Sequence, residues 1–167
     1  HRFGCLSVSA RLSRSSVQSS FSTMGDAIQI VLMGQGGVGK TAMTLRYTTG
    51  EFNEQYLPTI GDMYTKDVEV AGAPRHIQID DTAGQEAYAD LRSEKLGTGD
   101  GYLLVYSITD DTTFAKLDRL REEIIKAQVA KGKKAPPILL IGTKADLEDD
   151  RAVSAVERAA KGREWGD

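Results

Sequence analysis

The chain has 167 residues, of which 40% are hydrophobic and 27% charged, with a formal charge of −3, enough for one domain with a real core. No apolar run approaches the roughly eighteen residues a membrane span requires, and a net acidic chain without a basic stripe argues against nucleic acid as a partner. The one cysteine, Cys5, precedes the domain, so an internal disulfide or cysteine metal site is excluded, which suits a reducing compartment.

Residues 1–24 hold eight serines, Arg2, Arg11 and Arg14, no acid, and no sustained apolar period. They read as a disordered leader or translated upstream sequence, because Met24 stands just before the first strand. An Arg- and Ser-rich, acid-free segment also has the look of a mitochondrial transit peptide, the weaker reading. Gly25 does not make a myristoylation site, since Ile30 stands where Ser or Thr is needed. The folded domain is expected over residues 25–167. There, with the three leader arginines set aside from 21 basic groups, 18 remain against 24 acids.

Residues 28–33 (IQIVLM) form an apolar run of strand length. Gly34-Gln35-Gly36-Gly37-Val38-Gly39-Lys40-Thr41 follows and fits G-x-x-x-x-G-K-[ST], the phosphate-binding loop of nucleoside triphosphatases. A helix from about Lys40 is expected to stop near Gly50. Residues 51–62 read as loop, with Pro58 excluding a helix. Residues 63–70 and 76–79 read as strands of a hairpin around a turn at Ala71-Gly72-Ala73-Pro74. His76, the only histidine of the domain, reads as a surface or packing residue.

The polar stretch 80–86 follows a strand end, and residues 101–108 read as a strand buried on both faces. Phe114, Leu117, Leu120, Ile124, Ile125 and Gln128/Val129 recur at helical spacing, with Thr112 or Thr113 as the expected cap. Lys131, Lys133 and Lys134 complement that helix's negative end, and Pro136-Pro137 stops it. Residues 138–142 form another buried strand, 143–147 its polar exit, and 154–165 a last helix.

Alternating strands and helices predict an α/β fold: a three-layer, mostly parallel sheet with one antiparallel hairpin strand. Ligands of such sheets sit at the carboxyl ends of the strands. The glycine loop, Thr59, residues 81–85 and residues 143–146 all fall there, so one shared site is expected.

The chemistry of each segment can be assigned. Backbone N–H groups of Gly34, Gly36, Gly37, Val38 and Gly39, with the helix start at Ala42, suit phosphates. Lys40 suits the terminal phosphates, and Thr41 offers a hydroxyl to Mg²⁺. Asp81 suits a carboxylate at the metal. Asp146 can accept from the N1–H and amino group of guanine, where adenine would set acceptor against acceptor. Lys144-x-Asp146 therefore points to GTP/GDP rather than ATP, and an ATP-using phosphate-loop kinase is disfavoured.

With these residues in hand, the chain resembles the small GTPases of the Ras superfamily over about residues 27–166. Asp81-Thr82-Ala83-Gly84-Gln85-Glu86 is similar to that family's second switch entry, and Tyr56-Leu57-Pro58-Thr59-Ile60 to its first switch. Leu104-Val105-Tyr106-Ser107-Ile108-Thr109, Phe114 and Asp146-Leu147-Glu148-Asp149-Asp150-Arg151 look closest to the Ras/Rap branch. The resemblance implies a GTP-hydrolysing switch. In it Thr59 meets Mg²⁺ and the γ-phosphate, Gly84 lends an N–H to that phosphate, and Gln85 orients the attacking water. Lys40 aids the transfer, Phe52 packs on guanine, and Thr143 and Leu147 border the base.

It further implies slow turnover helped by an activating protein, because no arginine in either loop stands out as an internal finger. Effectors, exchange factors and activators would use residues 54–64 and 83–96. The protein would be a cytoplasmic monomer, meeting a membrane only through a lipidated tail. A non-catalytic or truncated nucleotide-binding interaction module is the alternative.

Four departures from the pattern stand out. Thr143 replaces the usual Asn, with the expected loss of a bridging hydrogen bond. Asp80 replaces an apolar residue and is expected to face solvent, since burial would be costly. Gly61 replaces an acid of the effector loop. The family's last strand, its Ser-Ala-Lys guanine loop and its final helix have no counterpart before Asp167, so a C-terminally incomplete domain is expected.

Overall fold

The structure, a computed structural model, describes residues 27–52, 59–84 and 94–165. The leader read over 1–24, the first-switch residues Tyr56-Leu57-Pro58, and Gln85 lie outside the described residues. Five strands form one sheet: β1 (Ile28–Met33), β2 (Gly61–Val70), β3 (Ala73–Thr82), β4 (Gly101–Ser107) and β5 (Ile138–Thr143). Their order is β2-β3-β1-β4-β5. β1 pairs in parallel with β3 and β4, and β4 with β5; β2 and β3 are antiparallel. The mostly parallel sheet with one antiparallel strand is therefore as the sequence predicts.

Each face of the sheet carries its own apolar cluster, which makes the fold three-layered. Leu32, Ile77 and Ile79 pack with Met43 of helix α1 (Lys40–Thr48) on one face. Val31, Met33, Tyr102, Leu104 and Tyr106 pack with Leu117 and Ile124 of helix α3 (Leu117–Ala130) on the other. The short helix α2 (Asp111–Ala115) and the last helix α4 (Ala155–Trp165) add Phe114 and Trp165 to that second layer. α1 ends as expected, with Gly50 at φ 80° just beyond it.

Local chemistry moves some boundaries. The hairpin turn is two residues, Ala71 (φ 52°) and Gly72 (φ 76°), not four. A two-residue turn with both φ positive matches the twist of the flanking strands, and Val70 pairs with Ala73 and Glu69 with Pro74. Pro74 is tolerated because β1 begins pairing β3 only at Ile77. The helical spacing over 112–129 resolves into α2 and α3 with Lys116 between them. The cap is Asp110, whose carboxylate accepts from the Thr112 N–H at 3.0 Å. Thr113 is buried instead, donating to the Asp110 carbonyl at 2.7 Å and accepting from the Ser107 N–H at 3.1 Å.

Gln128 is the other surprise. It is only 1% exposed, while its neighbour Val129 faces solvent. Its amide donates at 2.8 Å to both the Gly99 carbonyl and the Tyr102 hydroxyl. That hydroxyl also accepts from the Gly99 N–H (3.0 Å) and donates to the Leu96 carbonyl at 2.7 Å. One phenol thus ties residues 96–99 to β4 and α3. Tyr102→Phe leaves the Gly99 N–H without this acceptor, and a loss of about 1–3 kcal/mol is expected, read from urea unfolding.

Candidate functional site

The site begins where β1 runs out. At Gly34 (φ 151°) a Cβ would stand 2.2 Å from the Val105 carbonyl oxygen of β4, so only glycine lets the chain leave the sheet here. The loop then turns into α1, which has no side-chain cap and no acid in its first turn. Its first amides and the positive end of its dipole are left for an anion. Lys40 is buried, its Nζ donating to the Gly34 and Gln35 carbonyls at 3.0 and 3.1 Å. Those contacts hold the ammonium across the loop.

Thr41, Thr59 and Asp81 come together. The Thr41 hydroxyl donates to the Asp81 carboxylate. Its one proton is thereby used, so in the 2.7 Å contact between the Thr41 and Thr59 hydroxyls it is Thr59 that donates. Asp81 is 1% exposed, and its Oδ1 is buried without a hydrogen-bond partner among the described residues. Burial pushes its carboxyl above the ordinary value, with the Thr41 hydrogen bond and the Lys40 charge pulling the other way. Two hydroxyls and a carboxylate with one orphaned buried oxygen fit a small hard cation that prefers oxygen ligands.

Gly84 lies directly on the phosphate loop: a Cβ there would be 2.5 Å from the Gln35 carbonyl carbon and the Gly36 nitrogen. The second suspected segment therefore has no room for a side chain at its entry.

At the far end of β5, Thr143 keeps a bridge that the sequence led one to think lost. Its hydroxyl sits 2.5 Å from the Val38 carbonyl and 2.9 Å from the Tyr106 carbonyl, between the phosphate loop and β4. A hydroxyl has one proton, so it serves one of the two at a time. Lys144 takes a left-handed conformation (φ 62°), a strained one for a side-chain-bearing residue. It turns the chain out of the sheet, and the Leu147 N–H closes the turn on the Lys144 carbonyl at 2.9 Å.

A cavity of about 780 Å³ joins these pieces, a size ordinary for a small-molecule site. Gly36, Gly37, Gly39, Lys40, Thr41 and Ala42 line it on one side, with Thr59 and Gly84. Thr143, Lys144, Asp146 and Leu147 line it on the other, with Phe52 at the border. Phe52 is 63% exposed, an open face beside the cavity. Gly34 and Val38 do not line it; they shape the loop from behind, Val38 fully buried. Arg46 and Met43 also line it, and no sequence signal singled them out.

Asp80 corrects an expectation. It is 3% exposed, not solvent-facing. Its carboxylate accepts from the Gln29 and Gln78 side-chain amides and pairs with Lys95 at 3.1 Å. These partners meet the cost of burial that made exposure the expectation. The signal was available, because strand residues alternate: with Asp81 turned to α1, Asp80 must face the opposite layer.

Comparison with known proteins follows this geometry. Residues 29–166 match the Ras family profile. The chain belongs to the Ras family. It is 44% identical over 138 residues to Ras-related protein O-RAL of Diplobatis ommata. It is 43% identical over 138 residues to each of Ras-related proteins ralB-A and ralB-B of Xenopus laevis. The matched stretch is 83% of this chain and spans 66% of the length of each relative. These are Ral proteins, so the finer placement in the Ras/Rap branch is corrected to a Ral-related one.

The raised carboxyl of Asp81 has a thermodynamic consequence in this Ras family domain. Between the ordinary and the raised value the ligand-free folded state holds a proton that the unfolded chain has released. Stability there falls as pH rises. In Asp81→Asn this part of the slope is expected to vanish, read by unfolding at stepped pH without nucleotide or divalent metal.

Proposed function

We propose that the protein binds GTP and GDP and hydrolyses GTP to GDP and phosphate, serving as a signalling switch. The observation that carries this reading is the one cavity shared by the phosphate loop, Thr59, Gly84 and residues 143–147. Family membership supports it as well. The loop amides and Lys40 bind the phosphates, and Asp146 accepts from guanine, flanked by Lys144, Leu147 and Phe52. Gly84 offers its N–H to the γ-phosphate, and Gln85 holds the water in line with it. Thr41, Thr59 and Asp81 form the proposed Mg²⁺ set. When bound, Mg²⁺ supplies positive charge to the phosphate oxygens.

What remains for the chain is positioning and charge neutralisation, which is most of what phosphoryl transfer asks of a protein. We assign slow intrinsic turnover and dependence on an activating protein, with effectors, exchange factors and activators meeting residues 54–64 and 83–96. No helix among the described residues is long and apolar enough to cross a membrane. We assign a cytoplasmic monomer.

Single-turnover hydrolysis of γ-labelled GTP, with unlabelled ATP as competitor, tests the reading. GTP is expected to be cleaved slowly and not displaced by ATP. Nucleotide binding with no cleavage, even with a family activator, would leave the interaction-module reading. Gln85→Leu is expected to slow cleavage by at least roughly tenfold with GDP affinity unchanged. Asp146→Ala is expected to erase the preference for GTP over ATP, by up to about 10⁴-fold.

A further inference from the structure

We infer that Asp80 is a positioning residue for the hydrolytic step: through its ion pair with Lys95 it holds the C-terminal end of the connection that carries Gln85. The inference rests on the GTPase reading above and deepens it. Gln85 belongs to the run between Gly84 and Glu94. At its start, the Gly84 backbone is pressed on Gln35 and Gly36 of the phosphate loop. At its end stand the helical residues Glu94 and Lys95. What holds that end decides how freely the run between can be placed.

Beyond the Tyr102 hydroxyl, which reaches the Lys95 carbonyl at 3.2 Å, close packing among the described residues does not hold it. A cavity of about 300 Å³ lies between the end of β3, the start of β2 and residues 94–95, lined by Asp80, Asp81, Ala83, Met63, Glu94 and Lys95. Among the described residues of this stretch, apolar packing on the core begins at Leu96. Across the gap, among the described residues, the side-chain bond is Lys95 Nζ to Asp80 at 3.1 Å.

The pair is asymmetric in a useful way. Asp80 is deeply buried and the Lys95 side chain is 38% exposed, so the carboxylate is a fixed point and the ammonium the arm. The fixed point is well made. Gln29 and Gln78 both donate to Asp80. Gln29 is itself clamped by Asp100, whose N–H donates to its carbonyl and whose carboxylate accepts its N–H, each at 2.8 Å. A screened surface pair would contribute little; this one has one charge out of water with its other lone pairs satisfied.

The strand makes the pair a link to the site. Asp80 and Asp81 are consecutive, so they point to opposite faces. Asp81 engages Thr41 on the α1 side. Asp80 lies beside Val31 in register, on the face of α3. A shift of β3 at this point moves both groups together.

Lys95→Met tests the inference, because it keeps the stem, removes the charge and leaves Asp80 its two amide donors. Single-turnover GTP hydrolysis is expected to fall on the order of tenfold, as misplacement of a positioned group does. GDP affinity should stay within about twofold, and amide hydrogen-exchange protection over residues 94–99 should drop. Lys95→Arg, which keeps the charge, is expected to restore both hydrolysis and protection toward wild type. An equal fall in hydrolysis and GDP affinity would overturn the inference, as would unchanged hydrolysis, unchanged protection, or failure of Lys95→Arg to rescue. Should Lys95→Met not fold, Asp80→Asn gives the same readouts at conserved size, with the same expected directions and the same overturning results. Wild-type protein is measured in parallel: if it cleaves no GTP, the GTPase reading itself has failed, whereas cleavage unaltered in the variant sinks the positioning role alone.

Discussion

A β-strand cannot send two consecutive side chains to the same face, and the site of this protein is built on that constraint. Near the end of β3 stand Asp80 and Asp81, both all but fully buried. One carboxylate turns to Thr41 and Thr59, the other to Gln29, Gln78 and Lys95. Neither charge can be moved to water without turning the strand over, which would also eject Ile77 and Ile79 from their apolar cluster. The sheet's hydrophobic pattern thus fixes the polar site, and the site needs no separate folding signal.

The second constraint is backbone crowding. Gly34 passes within van der Waals range of β4, and Gly84 lies on the phosphate loop itself. These are places where main chain touches main chain, so geometry there is set by sterics rather than by weak contacts. Thr143 adds a third tie, from the exit of β5 to the Val38 carbonyl. Three separate strand ends are therefore held against one loop. That is what converts a nine-residue helix start and several scattered polar segments into a single cavity.

Much of this was legible in the sequence, and for identifiable reasons. The strand runs, the order of elements and the phosphate loop are local patterns with their own periods and glycine spacings. The convergence of Thr41, Thr59, Asp81 and residues 143–147 follows once the sheet is parallel. What could not be read depends on partners distant in sequence. Asp80 looked solvent-facing because Lys95 and Gln29 are invisible as neighbours until the sheet is assembled. Spacing left Gln128 and Val129 as alternatives on the apolar stripe, and that Gln128 is the buried one depends on a phenol 26 residues away. The cap at Asp110 and the two-residue hairpin were within reach of local rules, and longer-range apolar spacing masked them.

The ligand-free site is not at ease with itself, and this bears on how the domain is stabilised. Asp81 keeps an unpartnered buried oxygen and a carboxyl that burial makes reluctant to ionise. The Gln35 side-chain oxygen is likewise buried without a partner among the described residues. Lys144 adds left-handed strain at the rim, a cost of about 1–3 kcal/mol in such conformations. Each lies on a residue of the phosphate loop, the proposed cation set or the turn that follows β5. A ligand that satisfies them binds the folded state alone and stabilises it by mass action, about 2.7 kcal/mol at a hundredfold excess over Kd. Buried polar atoms gathered at one site are how a fold of ordinary stability can come to depend on what it binds.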